Sequence, residues 1–276
     1  MVTQSWLFDA IIYIYALSLL FFFSDFVGSN REAKRMGTGL LIFVWVLQTL
    51  YLGFNLYEHR VMFVFTMFET LFLFSWLLAT LSLIVHRLFR IELLVFFINV
   101  LGFSVLVFNF FSRSTVFPAV EDVNFTNELL FIHVTFSILS YAAFAISAIF
   151  SGMYLFLHRE LKGKHWSVRM KRFPSLEKID LYTFWSVIFG APMHLLALSL
   201  GVVWIALQGN WLLLLDSRVI GSMFVLGVYG VYIIQRVRFR SSGHRLACWN
   251  LVAFTVVLLN FIFSNLFSGF HQWIWM

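Results

Sequence analysis

Residues 129–157 read LLFIHVTFSILSYAAFAISAIFSGMYLFL, and residues 158–172 immediately after them read HRELKGKHWSVRMKR. The first stretch contains no Asp, Glu, Lys or Arg, whereas the second is dense in Lys and Arg. A helix needs about 20 consecutive apolar residues to cross the hydrocarbon of a bilayer. Residues 129–157 are therefore a membrane span, long enough to tilt or to project beyond the bilayer. Seven further runs reach approximately that length: 7–26, 37–57, 64–85, 92–111, 183–208, 219–235 and 246–268. They are continuous rather than alternating, which favours helices over a barrel. The expected fold is all-α, a polytopic membrane bundle of about eight transmembrane helices forming a single integral membrane domain over 1–276.

Composition agrees. Of 276 residues, 61% are hydrophobic and 12% charged, with a mean hydropathy of +0.90, against roughly 25% charged residues in soluble domains. The net charge of +6 does not imply nucleic acid, because it reflects loop Lys and Arg held on one membrane face. The single Cys248 excludes an internal disulfide and a CxxC redox pair. Met1 to Ser5 carry no basic residue, so the first apolar run is read as a retained helix rather than a cleaved signal peptide.

Lys and Arg orient the spans. The loops after spans one, three, five and seven hold sixteen of the 19 basic residues; the opposite side has Arg60, Arg113 and Arg218. Both termini then face outward and the basic loops face the cytoplasm of a multi-pass cell-membrane protein. The largest loop, about 158–182, is too short for a separate soluble domain.

This topology sorts the eight histidines. His86, His158, His165 and His244 fall inside, as interfacial polar residues. His194 lies within the sixth span, two residues after Pro192, and either fills a carbonyl freed by the proline or acts as a ligand. His59, His133 and His271 fall outside. Two helix ends can hold two imidazoles on opposite faces of a porphyrin, so His133 and His271 are the candidate metal ligands. The alternative is two unrelated interfacial histidines.

The second half of the chain resembles the cytochrome c assembly superfamily of haem-handling membrane proteins, which includes CcsA and CcmC. Leu130-Phe131-Ile132-His133-Val134 with Ser140-Tyr141-Ala142-Ala143-Phe144 resembles its WLLIHV and YAAF segment. Ile179-Asp180 is similar to the "LD" before its core helix, Gly190-Ala191-Pro192 to its GFP, and Gly201-Val202-Val203-Trp204 to its G-A-V-W. Gly269-Phe270-His271 resembles its GLH, and residues 68–76 resemble a CcsA stretch written YESLLFLSW. The likeness covers about 64–271 and is strongest at 129–276. It implies that His133 and His271 are external ligands of haem, b-type and non-covalent.

Departures are equally informative. The family's W-G-x-x-W-x-W-D-P falls at residues 209–217, where Asp216 stays in register, Trp211 does not, and leucines fill the platform. The family's inner YLHTR histidine falls at Ile234, beside Gln235. External histidines with a degraded tryptophan motif, together with residues 13–21 and 45–49, resemble a branch associated with bacterial haem biosynthesis. That branch limits the abundance of glutamyl-tRNA reductase, so the resemblance implies a regulator with haem, the reductase and membrane lipid as partners. A haem exporter or chaperone for cytochrome c assembly stays open as the alternative, as does a scaffold with unused histidines. None of these is an enzyme: the sequence has no nucleophile–base arrangement, phosphate loop or open metal triad.

Further residues complete the candidate site. Glu69 either pairs with Arg60, Arg113 or Arg218, or serves an outer pocket. Arg113 or Arg218 suits haem propionates. Asp216 either receives a ring N–H from a ligand histidine or caps a loop. Trp204 is placed to pack against a flat ligand. Trp6, Trp211, Trp273 and Trp275 form an outer belt, and Cys248 is read as packing. Cysteines placed at Ser114 and Ser268 should react with an impermeant thiol reagent in intact cells, while one at Ser167 should not; external labelling at 167 would reverse the topology.

Overall fold

The structure, a computed structural model, describes residues 2–28, 30–59, 67–88, 91–111, 125–164 and 172–267. These residues form eight α-helices: α1 (Val2–Gly28), α2 (Arg31–His59), α3 (Met67–Leu88), α4 (Glu92–Phe111), α5 (Phe125–Lys162), α6 (Leu176–Gln208), α7 (Ser217–Val237) and α8 (Gly243–Phe267). A 3-10 turn, Trp211–Leu215, joins α6 to α7. All eight helices are long and apolar enough to cross a membrane. The all-helical, eight-span reading of the sequence is borne out.

Several helices outrun their apolar spans. At about 1.5 Å per residue, the 38 residues of α5 extend about 57 Å, well beyond a hydrocarbon core of about 30 Å. Of the expected loop 158–182, Arg159 and Lys162 therefore lie on α5 and Lys178 on α6. Ser175 caps α6 by accepting from the Lys178 N–H at 3.4 Å. Asp180, expected before that helix, lies inside it and pairs with Arg236 of α7 at 2.5 Å. Cys248 is exposed rather than packed.

The chain divides into two compact units, Met1–Pro118 and Ala119–Met276. In the first, α1 packs along α2 and α3 along α4, with α1 also meeting α4. Buried positions on α1 are Phe8, Ile11, Tyr15, Ser18, Phe22 and Asp25, a three-and-four spacing that follows one helix face. The polar members of the core bond between helices. Tyr15 donates to Asn99 Oδ1 at 3.0 Å, Asn99 donates to Ser82 Oγ at 2.6 Å, and Gln48 donates to Ser75 Oγ at 3.3 Å. Near the starts of α2 and α4, Lys34 pairs with Glu92.

In the second unit the α5–α6 pair is the most extensive interface. On α5 the seam runs His133, Ser137, Ser140, Phe144, Ser147 and Ser151; on α6 it runs Thr183, Val187, Gly190, His194, Ala197 and Gly201. Both sets keep the three-and-four spacing, and most members are small, which lets the backbones approach. Gly190 belongs to the Gly-Ala-Pro motif, and a Cβ there would lie 2.8 Å from the Phe144 ring and 3.1 Å from Ala143 Cβ. Two of the resembling motifs thus meet face to face. Phe144 cannot easily give, because Tyr229 of α7 stacks on it at 3.8 Å. From α8, Asn250 donates to Ser147 Oγ at 3.1 Å and Ser151 Oγ at 2.8 Å.

Gly190→Ala should therefore lower the unfolding free energy in detergent by about 1–3 kcal/mol, the usual cost of overpacking. Gly227→Ala on α7 has nothing within 4 Å of the new Cβ and should be neutral or stabilising by up to about 1 kcal/mol. Equal effects of the two substitutions on the unfolding midpoint would show that the seam is not close-packed.

Candidate functional site

His133 sits in the third turn of α5, facing α6. Its Nδ1 lies 2.6 Å from the Ala197 carbonyl oxygen. A carbonyl only accepts, so Nδ1 carries the proton and Nε2 keeps its lone pair. Among the described residues Nε2 has no hydrogen-bond partner. This is the tautomer of a metal-ligating histidine whose other nitrogen is tethered to a backbone carbonyl. Gly201 makes the tether possible: a Cβ there would lie 3.0 Å from His133 Cε1 and 3.2 Å from Nδ1. Gly201 also follows Ala197 by four residues, so the carbonyl that the imidazole addresses is the one exposed by the missing side chain. The Gly-x-x-Trp motif is thereby tied to the histidine motif by contact.

His194, one turn before Ala197, is 2% exposed. Its Nε2 lies 3.1 Å from the Ser222 carbonyl of α7, and its Nδ1 lies 3.2 Å from Ser140 Oγ of α5. The ring therefore clamps α5, α6 and α7 together and does not serve the carbonyl freed by Pro192. Ser222 Oγ in turn accepts from Asn260 of α8 at 3.4 Å. Gly221 is required beside it, since a Cβ would fall 1.8 Å from Asn260 Oδ1.

The remaining candidates separate. Asp216 caps α7, accepting from the Arg218 N–H at 2.9 Å, whereas the His133 ring N–H goes to Ala197. Trp204 is half-buried on α6, three residues beyond Gly201. Glu69 is half-buried in the first turn of α3, in the first unit. His271 lies outside the described residues, as do Arg60 and Arg113. Trp211 is 61% exposed at the start of the leucine-filled 3-10 turn, and no aromatic platform follows it.

Beside that turn, a cavity of about 1040 Å³ opens between the start of α7 and the last turns of α8. Leu213, Ile220, Phe224, Leu259 and Phe263 supply apolar walls, with Asp216, Ser217 and Asn260 as polar groups. Small-molecule pockets usually measure roughly 300–1,000 Å³, so a planar ligand of porphyrin size fits by volume. Ser217 Oγ is buried without a partner. His133 is not part of the lining; Phe263 of α8 is, eight residues before His271.

The sequence profile described as "Cytochrome C assembly protein" matches residues 64–271. The chain belongs to this cytochrome c assembly family. A protein of Brevibacillus brevis named "Protein HemX" is 43% identical over 269 residues, covering 97% of this chain and 98% of the relative. A "Protein HemX" of Bacillus subtilis (strain 168) is 38% identical over 263 residues, with 95% of each covered. The chain is thus a haem-related, multi-pass bacterial membrane protein, and its relatives represent the branch that residues 13–21 and 45–49 resemble.

Which residues the sequence missed is now clear. Ser140 opens the Ser-Tyr-Ala-Ala-Phe segment and Ala197 keeps the three-and-four seam, but neither pattern marks its partner; Ser222 and Asn260 lie on α7 and α8 and carry no motif. Histidine-selective nitrogen-15 spectra, assigned with His133→Gln, should show His133 protonated at Nδ1 and bare at Nε2 in the metal-free protein. The opposite tautomer would break the tether to Ala197.

Proposed function

We propose that this protein is a haem-binding regulator of bacterial haem biosynthesis, which holds haem at the outer face and limits glutamyl-tRNA reductase abundance from the cytoplasmic face. The observation that carries the haem reading is the Nδ1 tether of His133, which leaves an imidazole nitrogen with a free lone pair at the outer end of α5. His271, which follows α8 in the sequence and falls on the same side by the charge rule, would supply the second imidazole. Haem bound there supplies an iron centre whose ligation depends on two helices at once. Asp216 orders the start of α7 beside the cavity, and Trp204 gives α6 a flat apolar surface near the tether. Arg218 suits a propionate by charge and shape. The haem is non-covalent, since Cys248 lies near the start of α8, at the opposite end from the His133 level.

Regulation is favoured over export by the leucine-filled turn Trp211–Leu215, which offers no stacked tryptophans to present haem to a carrier. The cytoplasmic side instead carries Arg159, Lys162, Lys164, Arg169, Lys171, Arg172 and Lys178. Anionic lipid competes for these charges, at about 1 kcal/mol per residue near the surface. Haem transmits a signal only if it binds one helix arrangement better than another, and ligands drawn from α5 and from the segment after α8 would make its affinity depend on how those parts are arranged.

Neutralising Arg169, Lys171 and Arg172 should raise reductase levels several-fold on immunoblots while membrane amounts of the variant stay constant. His133→Ala should change reductase abundance as well. A reductase level that ignores the basic variant contradicts regulation through this surface. A level that follows the basic variant and ignores His133→Ala contradicts haem as the signal.

A further inference from the structure

The inner end of the second unit holds a second imidazole pair that the haem reading does not use. His158 projects from the α5 extension and His244 from the first turn of α8; their ring centroids lie 4.8 Å apart with planes inclined at 51°. Neither ring has a hydrogen-bond partner among the described residues. His158 is half-buried and His244 is exposed, so the pair is open to the cytoplasmic side. The spacing is built rather than incidental. The Tyr154 ring lies nearly parallel to His158 at 6.1 Å and 13°. A Cβ at Gly243 would fall 2.5 Å from the Tyr154 hydroxyl oxygen. The glycine therefore lets α8 begin directly against α5, and the next residue is His244.

We propose that His158 and His244 form a binding site for one divalent transition metal ion of the imidazole-preferring kind, copper, nickel or zinc. Metal–imidazole nitrogen bonds of about 2.0–2.1 Å put each ring centroid about 3.2 Å from the ion. Two imidazoles on adjacent positions of one ion then have centroids about 4.5–5.2 Å apart, whereas an axial pair across a porphyrin iron needs roughly 6.4 Å. The observed spacing matches adjacent positions and excludes axial haem ligation without movement. Two imidazoles with no carboxylate or thiolate select borderline ions over magnesium or calcium, and water completes the coordination. The bound ion would tie the α5 extension to the start of α8.

Copper(II) titration of the full-length, tag-free protein in detergent, read by electron paramagnetic resonance, tests the site. The wild type should take up one copper with two imidazole nitrogens. His158→Gln and His244→Gln should each lose one nitrogen and bind at least tenfold more weakly. Gly243→Ala should weaken binding while both ligands remain, and His86→Gln at the inner end of α3 should leave the signal unchanged. Protection of wild-type His158 and His244 from diethylpyrocarbonate by zinc, read by peptide mass spectrometry, gives the same answer without a substitution. Copper binding that is indifferent to both histidine variants, or zinc that protects neither residue, overturns the proposal.

Discussion

Hydrocarbon offers a polar side chain no hydrogen-bond partner, and that constraint arranges this molecule. An unsatisfied backbone or side-chain group in lipid costs several kcal/mol, so Ser, Asn, Gln and His side chains within a span are driven to find partners inside the protein. The two cores accordingly carry Ser18, Gln48, Ser75, Asn99, Ser140, Ser147, His194 and Asn250 among their buried residues. Large apolar and aromatic side chains cover much of the outside, Tyr13, Trp185 and Phe224 being examples. Each internal bond between membrane helices contributes only about 0.6 kcal/mol on average. Their value lies in fixing which faces meet.

The α5–α6 seam shows how this constraint builds a site. Serines and glycines at three-and-four spacing bring the two backbones close enough for a ring on one helix to reach a carbonyl on the other. His194 uses that closeness as a buried clamp across three helices, with both nitrogens engaged. His133 uses it differently: one nitrogen is engaged and the other is left available. The same residue type on the same seam thus has both nitrogens engaged in one place and one in the other, separated by how many partners the packing supplies.

The number and type of the helices were legible because a span must be apolar along its whole length. Helix ends were not legible: nothing in the bilayer rule stops a helix from continuing into water, so α5 and α6 run on through what hydropathy marks as loop. The outer imidazole on α5 was legible as a candidate, but its tether was not, since Ala197 contributes only a carbonyl. His158 and His244 looked like separate interfacial residues because 86 positions divide them in the chain, and only the close approach at Gly243 brings them together. Asp216 kept its register in the motif and turned out to cap a helix, a role that the resemblance does not distinguish from a ligand's support.

The account rests most heavily on His133 presenting Nε2 to iron. The visible absorption spectrum of the detergent-purified protein, reconstituted with haem and compared with His133→Ala, measures this most directly. The account predicts a low-spin, six-coordinate spectrum whose Soret band moves on reduction, and the loss of that spectrum in the variant. A wild-type protein that shows no Soret band after reconstitution, or a variant whose low-spin spectrum is unchanged, would contradict it.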